Sequence, residues 1–123
     1  MDKKKILLVE DDPFISEMYT TKFEKGGYDV EVAMTGKDAL VKAGEWKPDI
    51  VLCDILIPEL DGFEVLTRLR KEISTSKIPV VMLTNLGQKE DIEKGESLGA
   101  SAYIIKAHFT PQEVVDKIKS LLP

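Results

Sequence analysis

Of the residues that anchor covalent or metal-stapled frameworks the chain has almost none: one cysteine and one histidine in 123 residues. Cys53 has no partner for an internal disulfide, which excludes a disulfide scaffold and points to a reducing cytoplasm. A site built on several histidines is excluded too, because His108 stands alone. No apolar stretch approaches the roughly 20 residues that a membrane-spanning helix needs; Ile6–Val9 is as long a run as any. The opening Met1-Asp2-Lys3-Lys4-Lys5 leads straight into that run, without the longer apolar stretch and small-residue cleavage site of a signal peptide. Charge of one sign never accumulates: 17 basic and 22 acidic residues are interspersed, for a net charge of −5. That balance lacks the basic face that nucleic acid favours, so no direct nucleic-acid or membrane partner is expected of these residues. A phosphate loop of the GxxxxGK kind is also missing, which argues against a nucleotide held here.

What is present reads as one compact domain over residues 1–123, with 43% hydrophobic and 32% charged residues. Lys4–Glu10 is a branched apolar run that ends in acids, the mark of a buried strand. Asp12-Pro13 then opens a helix, with Asp as N-cap and Pro at the first helical position. Ile15, Met18, Tyr19 and Phe23 share a face of that helix, and Gly26-Gly27 stops it. Tyr28–Ala33 alternates as a strand, and Gly36–Glu45 has Ala39, Leu40 and Ala43 at helical spacing. Asp49–Asp54 is a third strand, followed by a helix with Phe63, Leu66, Leu69 and Ile73 on one face. Pro79–Thr84 is a fourth strand, Gln88–Leu98 a weakly amphipathic helix and Ser101–Ile105 a fifth strand. Thr110-Pro111-Gln112-Glu113 is a capping box with Pro at the first position, leading into Val114, Val115, Ile118, Leu121 and Leu122.

Five strand–helix units in regular alternation predict an α/β fold with a parallel sheet covered on both faces. Right-handed crossovers make it doubly wound, and the flavodoxin-like strand order 2-1-3-4-5 is the leading candidate. In such sheets ligands bind outside the carboxyl ends of the strands, at the switch point between strands 1 and 3. Strand 1 ends in Glu10-Asp11-Asp12, strand 3 in Asp54, strand 4 in Thr84 and strand 5 in Lys106. Adjacent strands are about 4.8 Å apart, so the acids of strands 1 and 3 converge within several ångström. Carboxylates that close repel, and either shift their pKa values or call for a cation. Their hard oxygens suit Mg²⁺, which takes one or two carboxylates, waters and a phosphate oxygen. Lys106 stands about 10 Å away across two strands, a gap that a lysine stem spans in large part. An Asp can act as nucleophile and form an aspartyl phosphate, with the metal, Lys106 and Thr84 stabilising the transferred group.

The runs Val9-Glu10-Asp11-Asp12-Pro13 and Asp54-Ile55-Leu56-Ile57-Pro58-Glu59-Leu60-Asp61-Gly62 resemble the two longest motifs of response regulator receiver domains. Val81-Met82-Leu83-Thr84 and Tyr103-Ile104-Ile105-Lys106 resemble the two shorter ones, in order and at family spacing along the whole chain. The resemblance implies a two-component phosphorelay switch with Asp54 as phosphoacceptor. It implies that Asp11 binds Mg²⁺ directly and Glu10 mainly through water, with the Asp54 carboxylate and the Leu56 carbonyl as further ligands. Thr84 and Lys106 are then phosphoryl-binding residues, and Thr84 and Tyr103 the switch pair, Tyr103 turning inward as Thr84 moves toward the phosphate. The implied partners are a sensor histidine kinase or phosphotransfer protein as donor and a downstream effector, and the family allows a phosphorylation-dependent dimer. The only catalysis expected is of the chain's own phosphorylation and dephosphorylation.

Two departures stand out. After the lysine the family usually has proline in a cis peptide; here the run is Lys106-Ala107-His108-Phe109. A cis bond before alanine costs about 2.5–4 kcal/mol, so a trans bond and a reshaped loop are expected. Asn85 stands after Thr84 where a small residue is usual, placed to crowd the phosphoryl site or hydrogen-bond to it. Leu56 and Leu86 occupy positions that tune dephosphorylation, and their apolar side chains order an attacking water poorly, which predicts a long-lived phosphate. Read singly, Thr84 and Lys106 are ordinary strand-end residues and Tyr103 ordinary packing; their weight comes from register. Asp12 is expected only to cap a helix, Cys53 to be core and His108 an exposed loop residue. Of the rivals, an aspartyl-phosphate phosphatase needs an Asp where Leu56 stands. A flavodoxin needs a Thr/Ser/Gly-rich loop where Glu10-Asp11-Asp12 stands. A degenerate receiver that acts only as an interaction domain is at odds with the complete set Glu10, Asp11, Asp54, Thr84 and Lys106.

Overall fold

A computed structural model describes residues 2–122. The strands are β1 (Lys5–Val9), β2 (Asp29–Ala33), β3 (Ile50–Cys53), β4 (Val80–Thr84) and β5 (Ala102–Ile105). The helices are α1 (Pro13–Lys25), α2 (Gly36–Trp46), α3 (Gly62–Lys71), α4 (Lys89–Ser97) and α5 (Pro111–Leu121). All five strands pair in parallel, as the alternation of units predicts, in the order β2-β1-β3-β4-β5 that analogy with flavodoxin-like folds suggests.

Side chains alternate across a strand, and the apolar runs divide accordingly between two cores. Ile6, Leu8, Ile50, Leu52, Val81 and Leu83 face α1 and α5, where Phe23, Val114 and Ile118 meet them. Leu7, Val9, Val51, Cys53, Val80 and Met82 face the other way, against Ala39 and Ala43 of α2 and Leu66 and Leu69 of α3. Each fully buried branched side chain stabilises the fold by about 1.5–3 kcal/mol, which fits the unbroken apolar runs Ile6–Val9, Ile50–Cys53 and Val80–Leu83 of the central strands. Cys53 is the small core residue expected, and burial pushes its thiol pKa upward.

The helix ends follow local rules. Asp12 caps α1 by accepting from the Phe14 and Ile15 amides, and Thr110 and Glu113 form the reciprocal capping box of α5. Thr35 and Asp61 cap α2 and α3 in the same way. Two expectations fail. Met18 lies on the outer side of α1, where Ser16, Tyr19 and Phe23 are the buried residues. Ile73 is 94% exposed, because α3 ends at Lys71 and Glu72 turns into extended backbone (ψ 130°) before helical periodicity reaches it.

Candidate functional site

Register builds the site. Val9 pairs with Cys53 and the Asp54 amide donates to the Val9 carbonyl at 3.0 Å, so Glu10 and Asp54 leave neighbouring strands side by side. The Glu10 amide is held in turn by the Ala33 carbonyl at 3.0 Å. The loop after β3 folds back on itself: the Gly62 amide donates to the Ile55 carbonyl at 2.9 Å. A Cβ on Gly62 would stand 2.3 Å from the Asp54 carbonyl oxygen, so only glycine allows this approach. The Ile55 amide donates to Asp54 Oδ1 at 2.7 Å, which orients the carboxylate.

Lys106 opens a short 3₁₀ turn (Lys106–His108) after β5. Its ammonium reaches across the sheet, donating to Asp54 Oδ2 at 2.8 Å and to Glu10 Oε1. All three side chains are nearly out of solvent, at 11% exposure for Lys106, 13% for Asp54 and 3% for Glu10. Burial alone would lower the Lys106 pKa, yet its hydrogen bonds to Asp54 and Glu10 outweigh this and hold it above its ordinary value. For Glu10 burial wins over the attraction of Lys106 and raises the pKa, with the Asp54 charge adding to the rise. The two directions agree: one ammonium shared by two carboxylates is strongly held, while the deeper carboxylate remains under-compensated.

A cavity of about 290 Å³ opens here, lined by Glu10, Asp11, Asp54, Leu56, Thr84 and Lys106, with Asn85 and Leu86 at its β4 side. Larger hollows of about 440 Å³ along α1 and about 450 Å³ between α2 and α3 gather no comparable set of converging charged groups. Asp11 is exposed and Leu56 is 66% exposed on the cavity wall. Thr84 is buried, and its Oγ1 accepts from the Leu86 amide at 3.3 Å. Asn85 turns toward the neighbouring loop, its Oδ1 accepting from the Ala107 amide at 2.9 Å. The Lys106–Ala107 peptide is trans, as expected. Tyr103 donates its hydroxyl to the Leu86 carbonyl, and burial first, then the charges of Asp91 and Asp54, push its pKa up to about 12. Sequence reasoning missed the Asn85–Ala107 bond, although alanine in place of proline leaves an amide hydrogen that needs an acceptor.

Among the described residues no three His, Cys, Asp or Glu side chains are gathered tightly enough to cage a metal. The acidic donors on the cavity wall are the carboxylates of Glu10, Asp11, Asp12 and Asp54. That set suits an ion that takes one or two carboxylates and keeps its waters, which is Mg²⁺, and is unlike a Zn²⁺ or all-protein Ca²⁺ site.

A family model described as the response regulator receiver domain matches residues 6–119. The DNA-binding dual master transcriptional regulator RpaA of Synechocystis sp. is 39% identical over 118 residues, covering 96% of this chain and 48% of that protein. The chain spans about half the length of the curated relatives it matches. An expectation of no nucleic-acid partner, drawn from these residues, therefore does not extend to the other half of such relatives. Among solved structures, the chemotaxis protein CheY4 of Vibrio cholerae superposes with a TM-score of 0.91 at 29% identity, covering 98% of this chain and 100% of that one. The BeF3-activated N-terminal receiver domain of Klebsiella pneumoniae RstA gives 0.87 at 32% identity, covering 95% of this chain and 97% of that one. A match from residue 6 to residue 119, on a sheet of the same order as its solved relatives, means that this chain belongs to the response regulator receiver domains, the phosphoacceptor modules of two-component signalling.

Proposed function

We propose that residues 1–123 act as one receiver whose phosphoacceptor is Asp54, with Glu10, Asp11, Asp54 and the Leu56 carbonyl holding Mg²⁺ and Thr84, Asn85 and Lys106 holding the phosphoryl group. The observation that carries this reading is the Lys106 ammonium, 2.8 Å from Asp54 Oδ2 on the wall of a cavity shared with Thr84 and Asp11. A carboxylate is a competent oxygen nucleophile. The donor is a phosphohistidine of a sensor kinase or phosphotransfer protein: an Asp54 oxygen forms a bond to phosphorus as the P–N bond breaks. The imidazole nitrogen leaves with the electron pair and takes a proton from solvent. When bound, Mg²⁺ supplies charge neutralisation for the phosphoryl oxygens.

The residues of the chain do the rest. The Ile55 amide keeps the nucleophile oriented, and Lys106 and the Thr84 hydroxyl meet the oxygens that arrive. A phosphoryl group that draws Thr84 toward it takes the hydroxyl from the Leu86 amide. Leu86 is also where Tyr103 is bonded, so the pair Thr84 and Tyr103 carries the change outward to the effector. RstA, described as activated by BeF3, supports such a switch in a chain 32% identical to this one. Catalysis is confined to gain and loss of the chain's own phosphoryl group. The cytoplasm suits the single reduced cysteine, and among the described residues no helix is long and apolar enough to cross a membrane. An effector, including a DNA-binding one, is to be sought among partners or in chain beyond these residues.

The test is intact mass after incubation with phosphoramidate and Mg²⁺, on wild type and Asp54→Asn. One added phosphoryl group that needs Mg²⁺ and is lost in Asp54→Asn is expected. A folded wild type that takes no adduct overturns the proposal.

A further inference from the structure

Helix α4 is the least anchored of the five. It buries one residue, Gly95, and its N-cap Gln88 makes no side-chain capping bond. Glycine inside a helix is less favourable than alanine, so a glycine at the one buried position calls for a packing reason. That reason is Tyr103. A Cβ on Gly95 would meet Tyr103 Cδ2 at 3.1 Å and Cε2 at 3.3 Å, with Met82 Cγ behind at 3.6 Å. Met82 is fully buried between β3 and β5 and has nowhere to go. The tyrosine ring is only half-buried, so it is the group that yields, by a few tenths of an ångström toward solvent.

We propose that Gly95 is a positioning residue for Tyr103: the notch left by its missing side chain admits the ring against α4. This biases the unphosphorylated chain toward the state in which Tyr103 is bonded to the loop after β4. The inference rests on the phosphoacceptor reading, in which that loop carries Thr84. The hydroxyl of Tyr103 on the Leu86 carbonyl and the Leu86 amide on Thr84 Oγ1 make one connected chain from the notch to the site. A methyl group at position 95 crowds the ring, which has to give by a few tenths of an ångström, and so disfavours the placement that bonds its hydroxyl to Leu86. A ligand at Asp54 that favours the ring-in state must then bind more weakly, because it has to draw the ring back.

The test uses BeF3⁻ with Mg²⁺ as the equilibrium probe, together with tyrosine ring signals from 13C-labelled protein. In Gly95→Ala we expect the Tyr103 signal to move toward that of an exposed ring without any probe present. We also expect the BeF3⁻ concentration at half-saturation to rise roughly fivefold or more, the lower range of measured couplings. In a Tyr103→Ala background, Gly95→Ala should leave that concentration unchanged. The proposal is overturned if the Tyr103 signal stays in place in Gly95→Ala. It is equally overturned if Gly95→Ala weakens binding as much without the tyrosine as with it, since the effect then runs through the helix alone. A wild type that binds no BeF3⁻ would sink the phosphoacceptor reading, and the tyrosine signal would still decide whether the notch holds the ring.

Discussion

The loops after β3 and β4 flank the same cavity but are held in different ways. The β3–α3 loop is closed by backbone bonds: Gly62 to the Ile55 carbonyl at 2.9 Å, Ile57 to the same carbonyl at 3.0 Å, and the Gly36 amide to the Pro58 carbonyl at 3.0 Å. The β4–α4 loop is held through side chains, with Asn85 on the Ala107 amide, Tyr103 on the Leu86 carbonyl and Thr84 on the Leu86 amide. Backbone bonds persist whatever rotamers do, whereas side-chain bonds exchange on rotamer timescales. The loop that carries the proposed nucleophile is thus built to stay, and the loop proposed to read the phosphate is built to change partners.

Removing the cation that both loops face is expected to have the largest effect. Lys106→Ala leaves Glu10 and Asp54 buried side by side without their shared ammonium. Loss of one preorganised charge on a transferring group lowers rates by about 10²–10³-fold, and phosphoramidate uptake followed by mass should fall by that much. A loss under tenfold would mean that the lysine is structural only.

The fixed loop breaks next. In Gly62→Ala the new Cβ meets the Asp54 carbonyl oxygen at 2.3 Å and Ile55 Cα at 2.7 Å, both backbone atoms that cannot swing aside. Overpacking of this kind costs about 1–3 kcal/mol, read as a lower midpoint in urea, with slower uptake because Asp54 is displaced. The movable loop should show the opposite profile. Asn85→Ala removes a solvent-exposed bond, so its stability cost should stay near the low end of about 0.5–1.5 kcal/mol. Equal stability losses in the two variants would erase the distinction between the loops.

How far all this was legible in the sequence depends on how local each cause is. The sheet and the set Glu10, Asp54, Thr84 and Lys106 could be read because a parallel sheet gathers every carboxyl strand end on one edge, whatever the helices do. Asp12 and the Thr110–Glu113 box were legible because caps involve residues two or three apart. Ile73 misled because its spacing continues the α3 stripe, while the backbone leaves the helix at Glu72, a choice made by how the following turn docks. Met18 misled because two apolar stripes share α1 and only one faces the sheet. The Asn85–Ala107 bond and the Gly95 notch join residues distant in sequence or packed only through tertiary contact, and no periodicity announces them.

The smallest effect sharpens the comparison most. Hydrolysis of an aspartyl phosphate needs a water in line with the bond to Asp54, and the side chains that flank it are Leu56 from the fixed loop and Leu86 from the movable one. Neither can hydrogen-bond a water, so the phosphorylated protein should keep its phosphate for minutes or longer; a half-life of seconds would refute this. An amide at either position supplies an orienting donor and acceptor, worth at most roughly tenfold in rate, below the 10²–10⁴-fold of a true general base. Leu56 is 66% exposed on a loop locked by backbone bonds, so Leu56→Gln presents its amide from a constant position. Leu86→Gln presents it from a loop whose bond to Thr84 is proposed to be exchanged on phosphorylation. The first substitution should therefore shorten the half-life severalfold and the second less, both followed by phosphate release after removal of the donor. The reverse order would mean that the β4–α4 loop is the better-ordered wall of the site.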